Sequence, residues 1–221
     1  VVYCGTATAG AYKSTNKGLN WKLITRELPV TTVYSIAVDK DDENLIWLGA
    51  GKLYRSEDGG ESWIVCGQGT YQNADRWYRT LMQTDIGLFA ATDDGLWFSD
   101  DLGETMQLIA VGEYMELEQH PTDPNILYTV RLTDIKTQFL KSDDGGMLFY
   151  PAGEGWPAVG EGEEQKRAEI SVSQADPNRV YALCSGSTPD GGGLFGYYVS
   201  YDSGETFEFS CCGDGPGGPW E

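Results

Sequence analysis

Short apolar segments separated by polar turns run through the whole chain. Residues 33–38 alternate between apolar and small or polar side chains, which is the pattern of a half-buried strand. A polar turn at 39–44 follows, and then come apolar segments at 45–49, 52–56 and 63–66. Aromatic and β-branched residues dominate these segments and Gly, Asp and Asn separate them, so the region is predicted to form four short strands. No segment has a sustained 3.6-residue apolar period, and almost no helix is expected.

The same four-strand pattern recurs three more times. The further predicted strands lie at 77–83, 88–91, 96–99 and 106–111, at 114–118, 126–131, 138–142 and 147–150, and at 167–173, 179–183, 195–200 and 206–210. Such recurrence indicates that one structural unit is repeated along the chain.

A short motif marks the turn between the third and fourth strands of each repeat. It has the form Ser-x-Asp-x-Gly-x-(Ser/Thr)-aromatic, and its leading serines are 42, 43, 43 and 58 residues apart. The copies comprise Ser14, Asn16, Gly18 and Trp21; Ser56, Asp58, Gly60 and Trp63; Ser99, Asp101 and Gly103; Ser142, Asp144, Gly146 and Phe149; and Ser200, Asp202, Gly204 and Phe207. A near-constant period is typical of repeat architectures in which each repeat buries its apolar face against a neighbour.

Four-stranded units that repeat radially are the blades of a β-propeller. The chain is therefore predicted to be all-β, a propeller of four-stranded antiparallel blades. The blades are expected at about 1–28, 29–67, 68–112, 113–153 and 154–212, and the Gly- and Pro-rich residues 213–221 are expected to be a loop or linker.

The chemistry of the motif favours a structural role. Its Asp can accept hydrogen bonds from backbone N–H groups of its own turn, and the Ser or Thr hydroxyl can close the turn. Gly permits a positive φ, and the aromatic side chain is expected to pack between adjacent blades, contributing about 2–3 kcal/mol. A calcium loop is the alternative, but the twelve-residue ligand set with its closing Glu is absent. No metal or other cofactor is predicted.

These repeats resemble the Asp-box, or BNR, repeats of sialidases, xyloglucanases, sortilin-type receptors and a photosystem assembly factor. The resemblance covers residues 1 to about 212. It implies that the boxes lie on the face away from any active site, and that the protein is bacterial and secreted or at the cell surface. Since such repeats occur in enzymes and receptors alike, the fold does not decide the function.

The first residues align with the second strand of a blade. We therefore expect an incomplete segment of a larger propeller of seven to ten blades. The alternative is a compact five-bladed ring with one three-stranded blade.

Composition excludes several classes of partner. The net charge is −19, which argues against nucleic acid or an anionic membrane surface. No apolar run approaches a membrane span, so direct insertion into a membrane is not expected. The single histidine, His120, precedes Pro121 in a predicted turn, which argues against a Ser-His or Cys-His nucleophile.

The five cysteines fit neither a zinc pattern nor a disulfide framework. Cys4, Cys66 and Cys184 fall in predicted strands and are interpreted as small buried hydrophobes. For Cys211 and Cys212 two alternatives stand: one of them pairs with a cysteine outside this segment, or both are buried thiols.

Candidate functional residues lie in insertions that interrupt the regular period. The insertions at 67–76, 131–136, 153–167 and 185–193 are expected on the face opposite the boxes, where a propeller presents a concave surface. The candidate ligand-binding residues are Tyr71, Arg76, Trp77, Tyr78, Arg79, Arg131, Trp156 and Arg167. Arg79 and Arg167 could equally be packing charges.

Two functions remain open. The first is a non-catalytic module of a larger exported or cell-surface protein that binds a peptide, protein or glycan, as the sortilin resemblance implies. The second is a sialidase- or xyloglucanase-like glycoside hydrolase. Hydrolysis needs two carboxylates across a cleft, for which Asp75, Asp134 and Glu154 are candidates, but no spacing rule selects a pair.

Overall fold

A computed structural model describes residues 1–189 and 191–212. The predicted linker at 213–221 lies outside the described residues. The chain divides into two compact units, Val1–Val111 and Gly112–Glu221. No helix in the described part of the chain is long and apolar enough to cross a membrane.

Unit 1 contains three antiparallel sheets in which neighbouring strands follow each other in sequence. The first sheet is β1 (Val2–Gly5), β2 (Ala11–Ser14) and β3 (Lys22–Leu23); the second is β4 (Ser35–Val38), β5 (Ile46–Ala50), β6 (Lys52–Ser56) and β7 (Ile64–Val65); the third is β8 (Tyr78–Thr84), β9 (Gly87–Thr92), β10 (Gly95–Ser99) and β11 (Gln107–Val111). A five-residue helix, α1 (Gly69–Asn73), lies in the insertion between the second and third sheets.

Unit 2 contains two four-stranded antiparallel sheets of the same order. The fourth sheet is β12 (Glu113–Gln119), β13 (Leu127–Leu132), β14 (Thr137–Ser142) and β15 (Tyr150–Pro151); the fifth is β16 (Glu164–Val172), β17 (Val180–Thr188), β18 (Gly191–Ser200) and β19 (Glu208–Cys211). The prediction of an all-β, propeller-type chain of four-stranded blades is thereby confirmed.

Each unit buries apolar side chains between successive sheets. In unit 1, Trp47 and Leu53 of the second sheet meet Tyr78 and Leu88 of the third. In unit 2 the fourth and fifth sheets enclose a larger aromatic core, in which Phe139 stacks on Tyr128 at 5.7 Å between ring centroids. Each sheet therefore depends on a neighbouring sheet for burial of its apolar face.

One predicted strand, at 147–150, is wrong over most of its length. The N–H groups of Met147 and Leu148 both donate to Asp144 Oδ1 at 3.0 Å, which keeps these residues in the turn. The fourth strand of that sheet accordingly begins only at Tyr150.

Some of the cysteine predictions are confirmed and others are wrong. Cys66 and Cys184 are buried as predicted, and burial raises the pKa of both thiols to about 12. The prediction for Cys4 is wrong because the alternation of β1 turns Tyr3, and not Cys4, toward the core. Both alternatives for Cys211 and Cys212 are also wrong, since the two residues are exposed and form a disulfide with each other.

His120 lies in the turn after β12, as predicted. Its Nδ1 accepts a hydrogen bond from the backbone N–H of Asp123 at 3.1 Å. The ring therefore closes the turn before Asn125 leads into the next strand.

Candidate functional site

The five turn motifs share one hydrogen-bond arrangement. The leading Ser hydroxyl donates to Oδ1 of the Asp, or of Asn16 in the first copy, at 2.7–3.0 Å. The motif glycine N–H donates back to the Ser oxygen at 2.8–2.9 Å. In the second, third and fifth copies the Ser62, Thr105 or Thr206 hydroxyl also donates to Asp Oδ2 at 2.6–2.7 Å.

These bonds hold the motif carboxylates in the charged form. Hydrogen bonds from Ser62 and Ser56 place the pKa of Asp58 well below its usual range. At Asp101, Asp144 and Asp202 partial burial acts to raise the pKa, but the bonds from the turn outweigh it and the pKa is lowered. A carboxylate this fully engaged is a poor proton donor, so the motifs serve the turns.

The second, third and fifth motifs also contact another sheet within their unit through the motif glycine. A methyl group added to Gly60, at φ +93°, would lie 2.8 Å from the Ile24 side chain, and one added to Gly204, at φ +83°, would lie 2.8 Å from Phe139. Only glycine combines that positive φ with so close an approach. The motif aromatics differ in burial: Phe207 is buried, Trp63 and Phe149 are half-buried, and Trp21 is 44% exposed.

Basic residues that the sequence analysis did not single out add to these ties. Lys13 donates to the Gly59 carbonyl at 3.2 Å, Arg55 donates to the Leu102 carbonyl at 2.9 Å, and Lys141 pairs with Glu205 at 2.6 Å. Each stands directly before a motif serine and reaches another copy of the motif. In the sequence, the position directly before the motif serine is the signal by which these basic residues could have been identified.

A groove of about 480 Å³, here groove A, lies in unit 1 at the other end of the strands, beside the β5–β6 turn. The residues of groove A used below are Tyr34, Lys52, Tyr54, Asp75, Trp77 and Asp93. The insertion at 67–76 forms one wall, because the N–H of Arg76 donates to the Gly51 carbonyl at 2.8 Å. Groove A therefore brings together the predicted candidates Asp75, Arg76 and Trp77.

Arg76 holds that wall together. Its Nε donates to both carboxylate oxygens of Asp94 at 2.9 Å, and one Nη donates to the Tyr71 carbonyl at 2.7 Å. The guanidinium also lies 4.3 Å from the Tyr71 ring centroid and 4.8 Å from that of Trp97. Burial acts to raise the pKa of Asp94, but bonds from Thr92, Trp97 and Arg76 outweigh it and lower the pKa.

The neighbouring candidates are placed differently. Tyr71 and Tyr78 are buried, and burial raises the pKa of Tyr78 to about 12 and that of Tyr71 well above its usual value. Trp77 by contrast is 54% exposed. The Arg79 guanidinium lies 5.0 Å from the Trp77 ring centroid, and the backbone N–H of Trp77 donates to Asp93 Oδ1 at 2.9 Å. The backbone of Trp77 is thus held in place while much of its indole stays accessible.

A second groove, of about 580 Å³ and here called groove B, lies in unit 2 between the β13–β14 turn and the insertion at 153–167. Its walls include Asp134, Ile135, Lys136, Trp156, Pro157 and Val159. Trp156 is half-buried against Phe139 and Phe207, with ring centroids at 5.3 and 5.1 Å.

A buried polar network that the sequence did not reveal fixes groove B. Gln165 accepts from the Thr137 hydroxyl at 2.7 Å and donates to the Pro157 carbonyl at 2.9 Å. The Trp156 Nε1–H donates to the same Thr137 hydroxyl at 3.1 Å. No sequence pattern marked Gln165 and Thr137, because the two are 28 residues apart and each occupies an ordinary strand position.

The remaining candidates are not gathered into either groove. Glu154 is not among the residues that line groove B; its backbone bonds instead to Glu205 and Phe207 of the fifth motif. Arg131 donates to Gln138 at 3.2 Å, and the exposed Arg167 pairs with Glu169. Within residues 1–189 and 191–212, no group of three or more His, Cys, Asp or Glu side chains is arranged to hold a metal ion.

No protein-family model and no curated protein sequence matches the chain. Similar solved structures include the GH74 xyloglucanase from Xanthomonas campestris, with a TM-score of 0.68 and 16% identity over 94% of this chain and 36% of that one. YCF48 bound to D1 peptide has a TM-score of 0.55 and 15% identity over 92% of this chain and 76% of that one. The extracellular domain of a hybrid two-component system from B. thetaiotaomicron has a TM-score of 0.64 and 12% identity over 96% and 26%.

The chain spans 30 to 49% of the length of the GH74 structures that it matches. At these identities the similarity shows the β-propeller-type fold. It includes both GH74 enzymes and a structure with a bound peptide, so it does not separate catalysis from binding.

Proposed function

We propose that the chain is a non-catalytic binding module of a larger exported or cell-surface protein, built of Asp-box repeats, which captures a peptide or a segment of another protein. The observation that carries the proposal is Trp77, whose side chain is 54% exposed at the rim of groove A while Asp93 holds its backbone N–H and Arg79 lies against its ring. Exposed aromatic side chains that are rigidly held are typical of binding sites. YCF48, of similar fold, has been determined with a peptide bound.

The three catalytic candidates do not share one groove, which favours binding over hydrolysis. Asp75 pairs with Lys52 at 3.1 Å, and Asp93 accepts the Trp77 N–H. Of the three catalytic candidates, only Asp75 lines groove A, whereas Asp134 lines groove B and Glu154 lines neither of the two. Groove B, with Ile135, Trp156 and Val159, supplies a second, more apolar surface that suits a protein ligand or a glycan.

The test is to screen the full-length gene product against an array of random dodecapeptides, a glycan array and a panel of chromogenic glycosides. We expect peptide capture that Trp77→Ala weakens, and no turnover of glycosides. Capture of glycans alone would overturn the peptide assignment.

The second candidate function is glycoside hydrolysis, which the presence of Asp75 and Asp93 in one groove favours. In that case Asp75→Asn would abolish turnover of a glycoside while leaving the protein folded. Asp134→Asn tests groove B in the same way. Turnover lost in either variant would refute the binding-only proposal.

A further inference from the structure

We infer that groove A recognises a basic side chain, Lys or Arg, of the captured peptide. The inference rests on the proposed peptide-binding function and adds the chemical class of the residue that enters groove A. Two independent features of groove A carry it, its aromatic surface and its charge, and the Tyr54 hydroxyl adds a hydrogen-bond acceptor.

The aromatic surface is suited to a cation. Trp77 is 54% exposed and Tyr34 is 45% exposed, and both line groove A together with Tyr54. A cation near the face of a Trp or Tyr ring is attracted by the negative charge of the π-system. The same wall of unit 1 already contains such contacts, because Arg79 lies over Trp77 and Arg76 lies over Tyr71.

The charges of groove A leave one carboxylate unmatched. Arg76 is neutralised by Asp94, and Lys52 is paired with Asp75. Asp93 accepts the Trp77 N–H through Oδ1 and has no ion pair among the described residues. An incoming cation over Trp77 would therefore meet the free charge of Asp93, whereas an anion would be repelled.

Tyr54 adds a polar atom to the same groove. The residue lines groove A, and its hydroxyl group lies in the electrostatic range of Asp75. A tyrosine hydroxyl can accept a hydrogen bond from an ammonium or guanidinium N–H of a ligand.

Lys52 then acts as an internal competitor. Its ammonium occupies Asp75, which would otherwise be available to the same ligand. Removing the Lys52 charge should therefore strengthen the binding of a basic peptide, even though the substitution changes a residue that lines groove A. A role of Lys52 in holding an acidic ligand predicts the opposite sign.

The experiment selects peptides from the random dodecapeptide array with the full-length gene product and then measures binding by fluorescence polarisation. We expect Lys or Arg to be enriched, and replacement of the enriched residue by Gln to weaken binding about tenfold. Trp77→Ala should weaken binding about fivefold, Asp93→Asn about threefold, and Lys52→Gln should strengthen it about threefold. Asp100→Asn, an exposed charge change outside groove A, is the matched control and should have no effect.

The possible failures are distinguishable. If selected peptides bind equally well with Gln in place of the basic residue while Trp77→Ala still weakens them, the basic-residue inference is overturned and peptide binding stands. If Lys52→Gln weakens binding, the charge assignment is reversed. If no peptide is captured and a glycoside is turned over, the proposed function itself is refuted. Circular dichroism of every variant confirms that lost binding is not lost folding.

Discussion

The turn motifs and groove A use the same residue types for opposite purposes. In the second motif, Asp58 accepts four hydrogen bonds of 2.6–2.9 Å, from Ser56, Glu61 and the N–H and hydroxyl of Ser62. In groove A, Asp93 accepts one, from the backbone N–H of Trp77. The motif aromatic Phe207 is buried, whereas Trp77 is mostly accessible.

The difference shows where binding capacity remains in unit 1. A carboxylate with all its acceptor sites filled by its own turn stabilises the turn and has nothing left for a ligand. A carboxylate with one bond, next to an exposed indole, keeps its capacity for a partner. The most frequent acidic pattern in the chain is thus the part with the least capacity for ligand binding.

Removing one aromatic from each region should give the largest contrast in stability. Phe207→Ala empties a site packed against Phe139 and Trp156 at 5.0 and 5.1 Å, and should lower the free energy of unfolding by about 3–5 kcal/mol. Trp77→Ala should change it by about 0.5 kcal/mol or less. Equilibrium unfolding in urea, followed by circular dichroism, measures both. Equal losses would show that Trp77 is a structural residue.

Arg76 tests the boundary between the two regions, because it lies in groove A but is buried like a core residue. Arg76→Ala should cost about 2–3 kcal/mol, less than a fully buried pair because Asp94 is partly exposed. Asp93→Asn, a charge change in the same groove, should cost about 0.5 kcal/mol or less. Urea unfolding of the two variants measures both changes in the free energy of unfolding. If Arg76→Ala is as stable as wild type, Arg76 is not a structural residue and is again a candidate for ligand binding.

The sequence predicted the features that local chemistry determines and missed those that depend on distant contacts. The hydrogen bonds of each motif turn join residues within a stretch of eight, such as Ser56 to Trp63. The motif could therefore be recognised from the sequence without knowledge of the fold. The division of 67–77 into a buried Arg76 and an exposed Trp77 depends on Asp94, which lies on a different hairpin. Gln165 and Thr137 likewise meet only because β14 and β16 are brought together.

The motif carboxylates should make stability depend on acid pH. The pKa of Asp58 is lower in the folded protein than in the unfolded chain, so its contribution is present above the unfolded pKa of about 4 and is lost as pH falls below it. Asp58→Asn should reduce the slope of unfolding free energy against pH below about pH 4, by about 1 kcal/mol or less in total because the residue is solvent-screened. Asp100→Asn, which removes an exposed aspartate of another turn, is the matched control. A slope identical in wild type and Asp58→Asn would contradict the assignment.

The fourth motif offers the finest comparison, because it lacks one bond that three other copies have. The exposed Leu148 occupies the position whose hydroxyl donates a hydrogen bond to Asp Oδ2 in the other three copies, namely Ser62, Thr105 and Thr206. The backbone N–H of Leu148 still donates to Asp144 Oδ1 at 3.0 Å. Leu148→Thr should restore that bond and raise the free energy of unfolding by about 0.5–1 kcal/mol. Leu148→Val, which has nearly the same shape without the hydroxyl, is the matched control and should give no such gain. The Thr and Val variants differ only in the hydroxyl donor. If urea unfolding shows the same gain in stability for both, the gain comes from removing an exposed leucine. A gain confined to the Thr variant measures what the hydroxyl contributes to the motif.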